Sequence, residues 1–509
     1  MLLNLVLALP LASFLLLLVL PGKKPGAIRV VSLVAALAIF GVSLGLAVPF
    51  LASPAGVQFV TDVPWIRTPA IRYHVGLDGL SLWLVLLSTL LTPIVVAVSW
   101  RSVDWRVKEF HAFLLLLEFG VIGVFAALDL FLFYVFWEVS LVPMYFLIGI
   151  WGHERRIYAA VKFFLYTMAG SVLMLAAIIH LYNRAGTFDY VVLVGLLSSG
   201  RLRLGGVEEL VLFGAFFLAF AVKVPLFPLH TWLPDAHVEA PTAGSVMLAS
   251  VLLKLGCYGL LRFSLPLFPA AARECAPWIG VLAIAGILYG ALVAMVQPNM
   301  KKLVAYSSVS HLGFVVLGIF SFTRQGFDGA VYQMLNHGVS TGALFILVGF
   351  LYERRHSLEI ADYGGVATPA PRMAAVFLIT TLASIGLPSL GNFVGEFLVL
   401  QGAALADFRW AVFAALGVIL SACYMLWLYQ RAFLGETPEA VGAHVYDLGR
   451  RELATLVPLL VLMVWMGIFT RVFLAPISAA NALLLEQTKA NVEFRVSAPA
   501  ARPGTIHAR

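Results

Sequence analysis

The chain has 509 residues, 61% of them hydrophobic and 12% charged, with a mean hydropathy of +0.97. Soluble globular proteins carry about twice that share of charge, so the composition excludes a soluble domain and points to a polytopic helical membrane protein. The formal charge of +7 comes with no basic stripe interleaved with aromatics, which argues against nucleic acid as a partner and leaves the lipid bilayer as the surroundings.

About 20 apolar residues in a helix cross a hydrocarbon core of roughly 30 Å. Fourteen runs qualify: 2–20, 28–52, 77–99, 110–127, 129–151, 157–182, 209–229, 241–262, 278–297, 302–322, 328–352, 372–403, 409–434 and 453–475. The expected fold class is therefore an all-α polytopic membrane protein of about 14 transmembrane helices. Residues 1–9 hold no Lys or Arg and no small-residue cleavage site follows, so the first run is expected to stay as a span. The connections 53–76 and 183–208 read as short loops containing Gly, Pro and Ser, and the tail after Ala490 reads as disordered or partner-bound. The whole chain, 1–509, is thus one membrane domain: three helices in 1–109, units at 110–263 and 283–436, and a last helix with its tail in 437–509.

Basic residues set the expected orientation. Sixteen Lys and Arg fall in the odd-numbered loops and nine in the even-numbered ones, which puts the odd loops in the cytoplasm and both termini outside. Cys257, Cys275 and Cys423 lack metal-ligand or CxxC spacing and read as core residues, so no metal site is expected.

Two spans are interrupted by helix breakers. In the seventh, Pro225 and Pro228 follow Lys223; in the twelfth, Gly386, Pro388, Gly391 and Gly395 surround Glu396. Proline removes an amide donor and clashes one turn back, so both helices are expected to break. Broken helices at matching places in two halves point to a transport site. Glu138 and Lys223 lie 85 positions apart, as do His311 and Glu396, and one shift of 173 carries the first pair onto the second. That defines two five-helix units, and because five is odd the second enters the membrane upside down.

An ammonium in hydrocarbon costs roughly 2.5 to 3.5 kcal/mol on lenient scales, so intramembrane charges are functional candidates. A lysine in a dry site can release its proton, because desolvation disfavours the charged form. Lys223 and Lys254 are such lysines. Glu138, with at least nine apolar neighbours on each side, is expected to pair with Lys223, either as a structural ion pair or as a switch that holds the lysine charged until the two separate. His311 and His337 stand among Ser, Thr, Asn and Gly, which leave room for water and donors, and imidazole passes a proton through either nitrogen. Glu396 ends the row, so the candidate proton carriers are Glu138, Lys223, Lys254, His311, His337 and Glu396. Glu118 and Lys162 are weaker candidates, His180 reads as interfacial, and the loop HTWLPDAHVEAP, with His230, Asp235, His237 and Glu239, reads as a polar gate or partner contact near the cytoplasm. No dinucleotide fingerprint, P-loop, haem or iron–sulfur ligand set is present, so no redox chemistry is expected in this chain.

The runs AVKVPLFPLHTWLPDAHVEAPTAGSVMLASVLLKLGCYGLLR, KKLVAYSSVSHLGF, QMLNHGVSTGALFILVG and GNFVGEF closely resemble the antiporter-like subunits of respiratory complex I, the bacterial NADH-quinone oxidoreductase, from about Leu77 to Arg431. A glutamate rather than a lysine in the broken twelfth helix places the resemblance on the M-type branch. The family also includes subunits of multisubunit cation/proton antiporters and of energy-converting hydrogenases, and these are the alternatives. Carried over, the family's glutamate and lysine of the fifth and seventh helices fall on Glu138 and Lys223, its central lysine on Lys254, its connecting histidines on His311 and His337, and its terminal acid on Glu396. The resemblance implies a translocase subunit in the bacterial cytoplasmic membrane, beside L- and N-type neighbours, with FMN, iron–sulfur clusters and quinone on partner subunits.

Overall fold

The chain was analysed as a computed structural model, which describes residues 1–488. Among the described residues there are fourteen spans. Twelve are helices long and apolar enough to cross a membrane unbroken: Leu2–Val19, Pro25–Ala52, Leu82–Ser102, Val107–Ala126, Leu130–Trp151, Arg156–Ala185, Thr242–Leu267, Pro269–Met295, Met300–Phe320, Arg324–Arg355, Phe408–Phe433 and Arg450–Ile468. The other two are the seventh and twelfth, each split in two as the prolines and glycines dictate: Gly206–Lys223 with Trp232–Glu239, and Pro371–Ser384 with Gly391–Ala406.

Three expectations are corrected. The connection 53–76 is no loop but an antiparallel hairpin, β1 Gln58–Ile66 against β2 Ile71–Leu77, because QFVTDVPWI and IRYHVGL are rich in the β-branched and aromatic residues that suit a pleated surface. The segment HTWLPDAHVEAP is the second half of the seventh span, helical from Trp232 to Glu239 and largely buried. The last span does not run on to residue 475. It ends at Ile468, and a separate helix, Thr470–Gln487, follows. The expected disordered tail after Ala490 lies outside the described residues.

A backbone joint repeats in the two units. Ahead of the fifth span, Leu130 N donates to Phe188 O (2.9 Å) and Tyr190 N to Leu128 O (2.9 Å); ahead of the tenth, Met300 N donates to Leu358 O (2.8 Å) and Ile360 N to Pro298 O (2.8 Å). Every member of the second joint is 170 positions beyond its counterpart. Asp129 caps the fifth span through the amides of Phe131 and Leu132, and Asn299 caps the tenth through that of Lys302. Since the side-chain offset is 173, His311 sits about one helical turn deeper in its span than Glu138 does in its own. One joint lies on the face that carries the hairpin and the other on the opposite face, as an inverted repeat requires.

Burial is uneven among the spans. Thr242–Leu267 and Arg324–Arg355 are wholly enclosed by other helices over their apolar stretch and Met300–Phe320 is 94% enclosed, whereas the first two spans are 28% enclosed and the last one 33%. The three enclosed helices carry Lys254, His337 and His311.

Candidate functional site

The site begins where the eighth span departs from regular α-helix. Two π-helical turns, Leu248–Leu252 and Leu260–Ser264, bracket the short α segment holding Lys254. Single π turns of this kind mark functional sites in many helices. Lys254 is fully buried; its Nζ donates to the Ala249 carbonyl at 2.5 Å and meets His337 Nδ1 at 2.6 Å. The His337 and His311 rings stand edge to face with centroids 5.8 Å apart. His311 Nδ1 then meets Glu396 Oε1 at 2.9 Å, and Gln333 Nε2 donates to the same oxygen at 3.0 Å. Four of the six residues picked from the sequence therefore form one row across the eighth, eleventh, tenth and twelfth spans. Nε2 of both histidines has no partner, which leaves a proton-accepting or proton-donating position free on each ring.

The break in the twelfth span makes room for the end of this row. Gly386 sits in the break at φ +74°, and a Cβ there would come within 3.0 Å of Glu396 Oε2. The helix that restarts at Gly391 presents Glu396 about a turn and a half later.

Lys223 and Glu138 are placed differently, and their expected ion pair is not formed. Lys223 is the last residue of its half-helix and is 1% exposed; its Nζ has no hydrogen-bond partner and lies 5.4 Å from the ring centres of both Trp137 and Phe163. Glu138 Oε1 also lacks a partner, and no oxygen of Glu138 comes within 4.0 Å of Lys223. The 85-residue spacing fixes which helices meet; side-chain reach was never in it. In the second unit the equivalent pair, His311 and Glu396, does touch. The two lysine-bearing helices pack directly at Gly256, where a Cβ would sit 2.7 Å from Phe220 O and 2.9 Å from Val224 N.

The weaker candidates separate. Lys162 pairs with Asp235 at 2.6 Å. His180 is largely exposed and meets Glu208 at 2.8 Å. Glu118 is fully buried, and neither of its carboxylate oxygens forms a hydrogen bond to the row.

The model of the family described as "NADH:quinone oxidoreductase/Mrp antiporter, TM" matches residues 127–422. The chain is 47% identical over 502 residues to "NADH-quinone oxidoreductase subunit M" of Rhodobacter capsulatus, covering 96% of this chain and 98% of that one. It is 42% identical over 481 residues to "NADH-ubiquinone oxidoreductase chain 4" of Arabidopsis thaliana, covering 94% and 96%. The chain belongs to the NADH:quinone oxidoreductase/Mrp antiporter membrane family. Among solved structures it is similar to a chain of "Respiratory complex I from Thermus thermophilus with bound NADH", with 38% identity, a TM-score of 0.84 and coverage of 95% and 100%. A chain of the Mrp complex from Dietzia, at 22% identity and TM-score 0.80, shares the family fold.

Seen as a family member, the chain holds one further candidate that sequence reading misplaced. His237 is fully buried in the second half of the seventh span and stacks on Phe345 (centroids 4.5 Å, 13°), with neither ring nitrogen partnered. Reading its segment as a loop hid it; Pro225 and Pro228, followed by the twelve residues 229–240 with Pro234 as their single breaker, were the available signal for a restarted helix. The described residues also hold a cluster with metal-ligand spacing, Asp62, His74 and Asp189, on the hairpin face, where the ligand atoms lie within 4.8 Å of one another. Arg72 already holds Asp62 at 2.6 Å and His74 holds Asp189 at 2.7 Å, so these donors are committed to each other.

Proposed function

We propose that this chain is a proton-translocating, antiporter-like membrane subunit of an NADH:quinone oxidoreductase, and that the proton moves along Lys254, His337, His311 and Glu396. The observation that carries the reading is the row itself, two hydrogen-bonded pairs joined where the histidine rings meet edge to face, with three of its four helices enclosed by others. A charge arriving from a neighbouring subunit changes how Glu138 and Lys223 interact; their separation in a dry setting makes that interaction sensitive to a small approach. His237 supplies a way in from the face opposite the hairpin. Driving one charge against the membrane potential takes roughly 2.3 kcal/mol per 100 mV, and the energy comes from redox chemistry elsewhere. FMN, iron–sulfur clusters and quinone belong to partner subunits in this reading, and L- and N-type subunits flank the chain in the bacterial cytoplasmic membrane, with the hairpin face outward.

The test is Lys223→Ala in membranes containing the assembled complex. NADH oxidation is expected to continue with proton uptake into vesicles lost in proportion to this subunit's share; an unchanged ratio of protons pumped to NADH oxidised overturns the reading. Sodium-dependent pH changes in vesicles without any dehydrogenase would instead favour a cation/proton antiporter.

A further inference from the structure

Lys254 is the middle of the row, and the same helix leads from it in a second direction. Tyr258 and Arg262 follow at four-residue intervals, on one face and about 12 Å along the helix from Lys254 to Arg262. The phenol of Tyr258 donates to the Phe125 carbonyl at 3.0 Å and accepts from Arg262 Nε at 3.0 Å. Arg262 Nη2 meets Asp78 Oδ1 at 2.6 Å, and that oxygen also accepts from the amides of Leu80 (3.0 Å) and Ser81 (3.2 Å). Beyond this pair lies a cavity of about 180 Å³ on the hairpin face, lined by Asp78, Tyr190, Arg262, Asn481 and Gln487 among others. It reaches the surface beside Leu483, which is 49% exposed. Its lining mixes these polar groups with Val57, Leu80 and Leu128, and water admitted there would anchor on Asp78, Asn481 and Gln487.

Tyr258 and Arg262 stand along that helix between Lys254 and the cavity. Water threading that stretch would short-circuit a pump unless something closed it. We infer that the Arg262–Asp78 pair, locked to Tyr258, is a seal that keeps protons from passing between Lys254 and the hairpin-side cavity. The chemistry suits a barrier better than a path. Guanidinium stays charged at any physiological pH, so it neither accepts nor relays a proton, and its fixed positive charge repels hydronium, as an arginine does in water-selective pores. The Tyr258 hydroxyl spends its proton on a backbone carbonyl, which passes nothing on. Asp78, held by two backbone amides, keeps the guanidinium from swinging aside. This inference rests on the reading of Lys254 as a proton carrier.

The experiment uses the complete complex, with its native partners, reconstituted in vesicles and given no NADH. A pH step is imposed and its decay followed with an internal pH dye. Arg262→Met alone strands Asp78 and can prevent folding, so the decisive variant is the double Arg262→Met/Asp78→Asn, which leaves no charge unpaired. It is expected to raise passive proton conductance about tenfold, the change given by a barrier roughly 1.4 kcal/mol lower. Arg262→Lys, which keeps a cation, is expected to leak less than the double variant. Adding Lys254→Met to the double variant is expected to restore tightness. An assembled double variant as tight as the parent overturns the seal, and so does a leak that survives Lys254→Met. NADH-driven pumping by Lys254→Met alone tests the proton-carrying reading separately, since normal pumping there would refute that reading whatever the leak.

Discussion

At the scale of single residues, every charge set in a span carries a cost, and Lys254 meets that cost with His337 as its partner. A lysine or glutamate amid twenty apolar residues declares itself by its cost, and so Glu138, Lys223, Lys254, His311, His337 and Glu396 could be picked without a structure. What the sequence could not supply is reach. Lys254 bonds to His337 rather than to a carboxylate, and Lys223 stands against two aromatic rings with Glu138 out of contact. The bond between Lys254 and His337 also distinguishes a working row from a structural one. In Lys254→Met the charge is gone, and only His337 Nδ1 and the Ala249 carbonyl lose a partner, a cost of about 1 to 3 kcal/mol for each group left buried without one. The complex is therefore expected to assemble at reduced yield, with the ratio of protons pumped to NADH oxidised falling. If the ratio in assembled complex equals that of the parent, Lys254 only holds helices together.

At the scale of elements, the two broken spans were legible because proline and glycine act locally. The hairpin, the π turns around Lys254 and the helical second half of the seventh span were not. A π turn adds one residue to a helix without changing its apolar pattern, and a hairpin of two short, partly exposed strands is easily taken for a polar loop. The twelfth break makes a direct prediction. Gly386→Ala places a Cβ at φ +74° and 3.0 Å from Glu396 Oε2, which is expected to cost about 1 to 2 kcal/mol and to lower pumping with it. Gly41→Ala, in a helix with nothing within 4 Å of the added atom, is the control and is expected to be neutral or stabilising. Equal effects of the two on thermal midpoint and pumping would refute the account. The hairpin makes a second prediction. The hydrogen bond from His74 to Asp189 raises the His74 pKa despite burial, so its stabilisation is full below the unfolded value near 6.5 and is lost as pH rises through the folded value. Burial pushes Asp189 up, but the His74 bond and the Val192 amide outweigh it and hold it below the ordinary carboxylate range. Its stabilisation is present above about pH 4 and lost as pH falls through the lowered value. The clamp is thus tightest between about pH 4 and 6.5. Amide exchange in Ile71–Leu77, corrected for its intrinsic pH dependence, is expected to quicken above that window, and in His74→Gln to lose this pH dependence.

At the scale of the whole molecule, an even number of spans demands that both ends of the described chain, residues 1 and 488, lie on one face, and the contacts agree. Near the start, Asn4 Nδ2 donates to Thr61 at 3.1 Å and its carbonyl accepts from Tyr73 at 3.2 Å, both on the hairpin. Near the end of the described chain, Trp83 Nε1 donates to the Phe473 carbonyl at 3.1 Å, and the backbone at Gly79, just past the hairpin, packs against Pro476. Which face this is depends on charge: sixteen basic residues in the odd loops against nine in the even ones favour the proposed orientation, with the face opposite the hairpin cytoplasmic. A reporter fused after residue 488 that is active only outside the cytoplasm is then expected to be active, and one inserted at 435–449, between the thirteenth and fourteenth spans, to be silent. The reverse pattern would turn the molecule over. It would place the Arg262 cavity in the cytoplasm and make the hairpin face, rather than the face near His237, the side from which protons are drawn.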